Sequence, residues 1–367
     1  VSYFIFNQQQ IPYSSLENVS GKVLETLSYN QQQAIQIAKQ WFGGEDSFVV
    51  HTSGSTGTPK PIEWKRKFIE LSAKQTLEVF DVTADDKIFL CLSVQTAGGV
   101  MMLIRGLIAN IPVAVVEPSG NPMEVLTANH NYTLASFVPL QMHHILSGYD
   151  FSSVQKLNKF RKVLVGGAGM NNNWSKRFVD LDPEFYHTYG MTETYTHIAL
   201  RKLNGVGATP RFIPLKGAQV SKDKDERLVI NGEITGYADI VTNDRVVIHP
   251  DGSFEVLGRI DNVINSGGIK IQLEKIDNAL ARLKQLMGRE YFTWYEPDAE
   301  LGQKLIVIIK GNPIDSMDEY EAKVDLRSFL EKYEVPKAFY YVDEFVLTDS
   351  GKVQRQKSAA KALEQNP

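Results

Sequence analysis

The stretch Thr52-Ser53-Gly54-Ser55-Thr56-Gly57-Thr58-Pro59-Lys60 gathers hydroxyls, glycines and a lysine in one short segment. Glycine lets the backbone turn tightly and aim its N–H groups inward, the hydroxyls add donors, and Lys60 supplies a mobile cation. That combination suits a polyphosphate. A Walker A loop would follow its Gly-Lys pair with Ser or Thr and run into a helix, whereas Lys60 precedes Pro61 and Pro61-Ile62-Glu63-Trp64 reads as a strand. A solvated Ser/Thr/Gly turn has the same composition, so the distant residues must decide. Gly166-Gly167-Ala168 offers bare backbone at the exit of an apolar run, and Tyr189-Gly190-Met191-Thr192-Glu193 puts a ring, a hydroxyl and a carboxylate in one pentapeptide.

The hydrophobic pattern supplies the elements that would hold these residues. Strands are predicted at 47–51, 61–64, 87–92, 113–116, 134–138, 162–165 and 184–188, the last ending at Tyr189-Gly190. Helices are predicted at 65–80, 97–110, 122–130, 140–146 and 172–180. This alternation is the signature of a layered α/β domain. Short strands at 228–230, 239–241, 246–248 and 254–256, separated by Gly and Asn-Asp turns, predict a small β subdomain. Beyond Asn262 a compact α+β unit is expected, with helices at 273–286 and 317–332 and strands at 291–294, 305–309 and 339–342. The boundary falls near Asp261.

Composition narrows the function class. The 367 residues carry 39 Lys plus Arg against 43 Asp plus Glu, a net charge of −4. Both sides of Asp261 are slightly acidic, which leaves no basic half to hold nucleic acid or an anionic membrane. Cys91, the single cysteine, lies in an apolar run, which excludes an intrachain disulfide and a cysteine metal cluster and predicts a buried thiol. His143-His144 lacks a carboxylate or thiol to complete a metal site. No run approaches the ~18 apolar residues of a membrane span, and Val1 to Phe6 has no basic leader. A soluble cytoplasmic protein is expected.

In order along the chain, these motifs resemble those of the acyl-adenylate-forming superfamily, which includes acyl- and aryl-CoA synthetases and peptide-synthetase adenylation domains. The resemblance implies that Thr52, Ser53, Gly54, Ser55, Thr56, Gly57 and Lys60 hold the phosphates of ATP. It implies that Gly166, Gly167 and Ala168 lie against the adenine and the acyl group, and that Tyr189 and Gly190 cover the base. Thr192 would reach the α-phosphate and Glu193 would hold Mg²⁺. Thr242-Asn243-Asp244 departs from the family's Thr-Gly-Asp by one residue, with Asp244 expected on the ribose. Gly258-Arg259-Ile260-Asp261 resembles the family's hinge, with Arg259 on ribose or phosphate and Asp261 absorbing the rotation. Ser266-Gly267-Gly268-Ile269-Lys270 resembles the loop that lines the CoA channel, although Ile269-Lys270 replaces the usual Glu-Asn. Gly351-Lys352-Val353-Gln354-Arg355 resembles the C-terminal motif whose lysine, here Lys352, bridges carboxylate and α-phosphate during adenylation. The implied fold class is α/β: a large multilayer α/β N-terminal domain (1–260) with a small β subdomain, followed by a mobile α+β C-terminal lid domain (262–367).

The same resemblance implies a two-step reaction in which a carboxylic acid and ATP give an acyl-adenylate and CoA then gives the thioester. Arg105 lies on a face otherwise made of Val100, Met101, Leu103 and Ile104. It either snorkels to the surface or meets an anionic substrate. In o-succinylbenzoate-CoA ligases an arginine at the corresponding place pairs with the substrate's second carboxylate; Gly98 and His197 are the other expected acid contacts. Thr96 stands where those enzymes often have His. The ordered motifs cover 48–356 and leave 1–47 unmatched, a front segment shorter than the family normally carries.

Overall fold

The computed structural model describes residues 2–7, 9–51, 61–147, 151–170, 174–348 and 353–366. The expected phosphate loop, 52–60, and Lys352 lie outside the described residues. The central sheet follows the order Ile213–Pro214, Thr196–Lys202, Glu184–Met191, Lys162–Val165, Leu134–Phe137, Ile88–Leu90, Val113–Val115, Tyr3–Phe6, Gln9–Pro12. From Glu184–Met191 across to Tyr3–Phe6 the strands run parallel, and the strands flanking them are antiparallel. Parallel strands joined by crossovers are covered on both faces, so Ile88–Leu90 and Val113–Val115 are wholly buried. Successive side chains point to opposite faces. Ile88 and Leu90 therefore enter one core, with the Arg66–Val79 and Ala97–Ala109 helices, while Phe89 and Cys91 enter the other. The Cys91 thiol is buried as expected and faces the Ser136 carbonyl at 3.6 Å.

The segment that the motifs leave unmatched builds the sheet's edge. Tyr3–Phe6 joins Val113–Val115 in parallel, and Ser28 and Gln31 form a capping box at the start of the Tyr29–Phe42 helix. This helix start clamps two loops at the carboxyl ends of the parallel strands. Asn30 Nδ2 donates to the Leu92 and Val116 carbonyls at 3.3 and 2.9 Å, and its Oδ1 accepts from Val94 N at 2.9 Å. Gln31 Nε2 donates to the Val115 carbonyl at 2.8 Å.

Several elements depart from expectation. The 122–130 helix is a single 3₁₀ turn, Pro122–Val125, capped by the Asn121 side chain and ended where Leu126 becomes extended. The strand expected to stop at Tyr189 continues to Met191 and folds back through Thr196–Lys202. The strands expected at 239–241 and 246–248 are one, Ile240–Ile248: Thr242-Asn243-Asp244 stays extended because Asp244 pairs with Arg259 across the ladder. The helices expected at 273–286 and 317–332 are shorter, Leu273–Leu280 and Ser316–Leu326.

Ala218–Lys222, Arg227–Gly232, Ile240–Ile248 and Phe254–Arg259 form a four-stranded antiparallel sheet. After it, Ile269–Gln272, Val263–Ser266, Gly302–Lys310 and Tyr291–Asp298 form another, with Ala338–Val342 parallel to Gly302–Lys310. The apolar clusters between Phe4 and Phe254 share no residue with those between Ile264 and Ala362. Among the described residues no helix is long and apolar enough to cross a membrane.

Asn30→Ala strands two carbonyls and one N–H in a buried place. It is expected to lower stability by about 2–4 kcal/mol in denaturant titration, and an unchanged midpoint would show that the clamp carries no weight.

Candidate active site

Glu184–Met191 and Thr196–Lys202 form a hairpin whose bend is the 3₁₀ turn Thr192–Thr194, closed by Tyr195 at φ 63°. Gly190 faces His197 in this hairpin, and a Cβ at Gly190 would lie 1.8 Å from the Thr196 carbonyl oxygen. The turn therefore leaves Glu193 exposed and Thr192 half-buried at the carboxyl end of the parallel sheet. Crevices at that end are where open α/β sheets bind ligands. The indole of Trp64 donates to the Thr192 carbonyl at 2.8 Å and packs on Tyr195 at 5.4 Å between ring centroids. Trp64 sits on Pro61–Lys65, which pairs with Ser47–His51 so that His51 and Pro61 stand opposite each other. Both ends of the 52–60 segment are thus brought together and tied to the Thr192 turn.

Gly166-Gly167-Ala168 leaves the neighbouring strand and crosses close to this hairpin. Gly166 N donates to the Phe137 carbonyl at 3.0 Å, and a Cβ on Gly166 would lie 1.9 Å from Thr188 Oγ1. Only glycine fits that crossing. Gly167 and Ala168 are exposed, so their backbone is open to a planar ligand beside Tyr189.

Tyr189, Asp244, Arg259 and Asp261 form one linked set. The Tyr189 hydroxyl donates to Asp244 Oδ2 at 2.5 Å, and burial, with Asp244 second, raises the phenol above its ordinary pKa. Its ring meets Phe254 edge-on at 5.1 Å and Phe212 at 5.5 Å. Arg259 lies 4.0 Å from Asp244 and grips Asp261 with two hydrogen bonds of 2.9 and 2.7 Å. Burial opposes ionisation of Asp261, but the Arg259 fork overrides it and holds the carboxyl below its ordinary pKa. Gln272 and Glu274 meet the same place from the other side: Gln272 Nε2 donates to the Arg259 carbonyl at 2.9 Å, and Glu274 Oε1 accepts from Arg259 N at 3.2 Å.

Arg105 neither snorkels nor faces an open cleft. It is 3% exposed, its Nη2 donates to Thr196 Oγ1 at 3.1 Å, and its Nε has no partner among the described residues. Burial pushes the guanidinium down to about 9. His197 is buried beside it, held neutral by burial and by Arg105, with Nε2 3.0 Å from Thr76 Oγ1. The neighbouring cavity, about 10 Å³ and lined by Met102, Ile88, Leu134 and Thr76 among others, has room for about one water. Gly98 lies in the first turn of the Ala97–Ala109 helix, and Thr96, unexpected as a replacement for His, is that helix's N-cap. Gly267 and Gly268 form the two-residue turn of an exposed hairpin, with Lys270 exposed on its second strand. The hydrogen bond described for that turn joins Gly267 N to the Leu301 carbonyl, away from the Tyr189 set. Trp64, Asn30, Thr76, His187 and Arg201 brace the site without any motif to announce them.

Among the described residues no group of His, Cys, Asp or Glu forms a metal cluster. A lone exposed carboxylate such as Glu193 fits Mg²⁺, which keeps waters and takes most other ligands from substrate phosphates. The Gly166 crossing makes a stability prediction. Gly166→Ala is expected to cost about 1–3 kcal/mol through overpacking, with part of that loss recovered by adding Thr188→Ala. A double-mutant cycle showing simple additivity would contradict the contact.

A family model described as AMP-binding enzyme matches residues 10–236, reaching into the segment that the motifs left unmatched. The crystal structure of an acyl-CoA synthetase (AMP-forming)/AMP-acid ligase II-like protein from Dyadobacter fermentans is 35% identical and superposes with a TM-score of 0.59, covering 94% of this chain and 99% of that one. Feruloyl-CoA synthase of an Amycolatopsis species is 25% identical over 83% of this chain and 67% of its own. The 2-succinylbenzoate–CoA ligase of Oceanobacillus iheyensis is 24% identical over 91% and 75%. The chain thus spans about two thirds to three quarters of these two curated relatives. With the family match spanning more than half of its length, the chain belongs to the AMP-binding enzymes of the adenylate-forming superfamily.

Proposed function

We propose that the protein is an AMP-forming acid–CoA ligase. The observation that carries this reading is the bare Gly166–Ala168 backbone beside the Tyr189–Asp244–Arg259–Asp261 set, at the carboxyl end of the parallel strands. Tyr189 and the Gly166–Ala168 backbone bracket the adenine, while Asp244 and Arg259 meet the ribose. In the first step a carboxylate oxygen attacks the α-phosphorus of ATP and pyrophosphate leaves. Thr192, at the Trp64-braced turn, donates to the α-phosphate, and the segment Thr52 to Lys60 holds the departing phosphates. Lys352 bridges the carboxylate and the α-phosphate, where a fixed cation stabilises charge developing at phosphorus. Glu193 would hold Mg²⁺, which would neutralise phosphate charge. In the second step the CoA thiol gives its proton to water, its sulfur attacks the acyl carbon, and the bond from that carbon to the phosphate oxygen breaks to release AMP.

The two steps need two surroundings for one acyl carbon. Residues 262–367 act as the lid and Asp261 as the hinge. Rotation there must break the Gln272 and Glu274 bonds to the Arg259 backbone, and it brings Gly267, Gly268 and Lys270 toward the thiol. The substrates, ATP and CoA among them, fit a cytoplasmic location.

For the acid, o-succinylbenzoate is the first candidate, supported by the named activity of the Oceanobacillus relative and by a buried arginine that has no acidic partner among the described residues. The room for about one water beside Arg105 favours a second reading, an aryl acid without a second carboxylate, like the substrate named for the feruloyl-CoA synthase.

A pyrophosphate-release screen across carboxylic acids, with and without CoA, tests the ligase reading, and release with no acid overturns it. Lys352→Ala is expected to slow acyl-adenylate formation by about a hundredfold or more and to spare thioester formation from supplied acyl-adenylate. Equal loss of both would contradict its role. Arg105→Leu separates the acids: a rise in KM confined to the dicarboxylic acid supports o-succinylbenzoate, and an equal effect on all acids supports the aryl reading.

A further inference from the structure

We infer that His187 and Arg201 are positioning residues for the nucleotide site: Arg201 fixes the His187 imidazole as its Nε2–H tautomer, and that N–H holds the Ala168 carbonyl in place. The inference rests on the ligase reading for what the Gly166–Ala168 backbone binds. Its geometry stands independently. His187 is 6% exposed and lies between two partners, the Ala168 carbonyl 3.3 Å from Nε2 and Arg201 Nη2 2.9 Å from Nδ1. A guanidinium can only donate, so Nδ1 must present its lone pair, and the single proton of the neutral ring sits on Nε2. The opposite tautomer would set a lone pair against the carbonyl oxygen and an N–H against the guanidinium. A second proton is also disfavoured, because burial and then Arg201 push the imidazole down to about 3.

Arg201 is itself held in place. Its Nη1 donates to the Pro210 carbonyl at 3.4 Å, and its guanidinium lies over the Phe212 ring at 5.0 Å. The same ring faces His187 at 5.1 Å and Tyr189 at 5.5 Å, and it stacks on Phe254 at 5.5 Å. The ring that covers the base and the backbone strip that faces it therefore share one mounting. His187 is buried and acts through Ala168, which is exposed.

A long-range ¹H–¹⁵N spectrum of the full chain, with His187 assigned by its loss in His187→Gln, reports which ring nitrogen carries the proton. The expected result is Nε2–H in the wild type and appearance of the Nδ1–H form in Arg201→Met. In kinetics, His187→Leu is expected to raise KM for ATP about tenfold with less than a threefold change in kcat, and His187→Gln, which keeps an N–H donor, to recover most of that loss. Thermal unfolding of each variant separates these effects from misfolding. An Nδ1–H wild-type ring, an unchanged KM in His187→Leu, or a Gln variant no better than Leu overturns the inference. Failure of the ligase reading shows differently: the wild type releases no pyrophosphate with any acid, while the tautomer spectrum and calorimetric ATP binding still decide the role of His187.

Discussion

The crossing of Gly166 over Thr188 is the contact on which the site depends. A methyl group at Gly166 would overlap the threonine hydroxyl, so two adjacent parallel strands can bring their exits this close only with a bare backbone there. Everything nearby takes its position from that approach. Ala168 comes within reach of His187, Tyr189 stands beside the strip, and the strand running on to Met191 carries Thr192 and Glu193 past the sheet edge. The Trp64 bond to the Thr192 carbonyl then fastens the strand pair whose ends flank residues 52–60. A short-range steric constraint thus orders groups that lie far apart in sequence.

The other feature that shapes the molecule is a charge kept inside it. Removing an ion from water costs several kcal/mol even after relaxation, and Arg105 recovers little of that from one threonine and a methionine sulfur at 3.5 Å. Burial, and after it the guanidinium, suppresses protonation of His197, so the buried pair holds one charge instead of two. Thr196, which accepts from Arg105, also lies 3.3 Å from the Ser72 hydroxyl and stands at the foot of the Thr192 turn. The buried network therefore links the Ala97–Ala109 and Arg66–Val79 helices to the hairpin that presents the motif.

Much of this was legible in the residues. The apolar runs at 87–92, 113–116 and 162–165 announced the strands of a layered α/β domain, and the ordered motifs announced the family. What was not legible depended on tertiary pairing. Thr242-Asn243-Asp244 looked like a turn until its partner Arg259 was known, and Tyr189-Gly190 looked like a strand end until Thr196–Lys202 folded back on it. The front segment carries a helical stripe at Ala34, Ile35, Ala38 and Trp41, but no motif reports that the Asn30 and Gln31 side-chain amides satisfy carbonyls at the ends of other strands. Arg105 offered two readings, a surface tip or a substrate contact, and its burial removes the first: local pattern does not report what closes over a helix.

In the proposed reaction a carboxylate oxygen attacks the α-phosphorus of ATP. Supplying the acid with ¹⁸O in both carboxyl positions, together with ATP and CoA, and analysing the products by mass spectrometry tests it directly. One ¹⁸O is expected in each AMP released and none in pyrophosphate, because the bridging oxygen of the acyl-adenylate leaves with the nucleotide. Formation of ADP with label in inorganic phosphate, or unlabelled AMP alongside thioester, would contradict it.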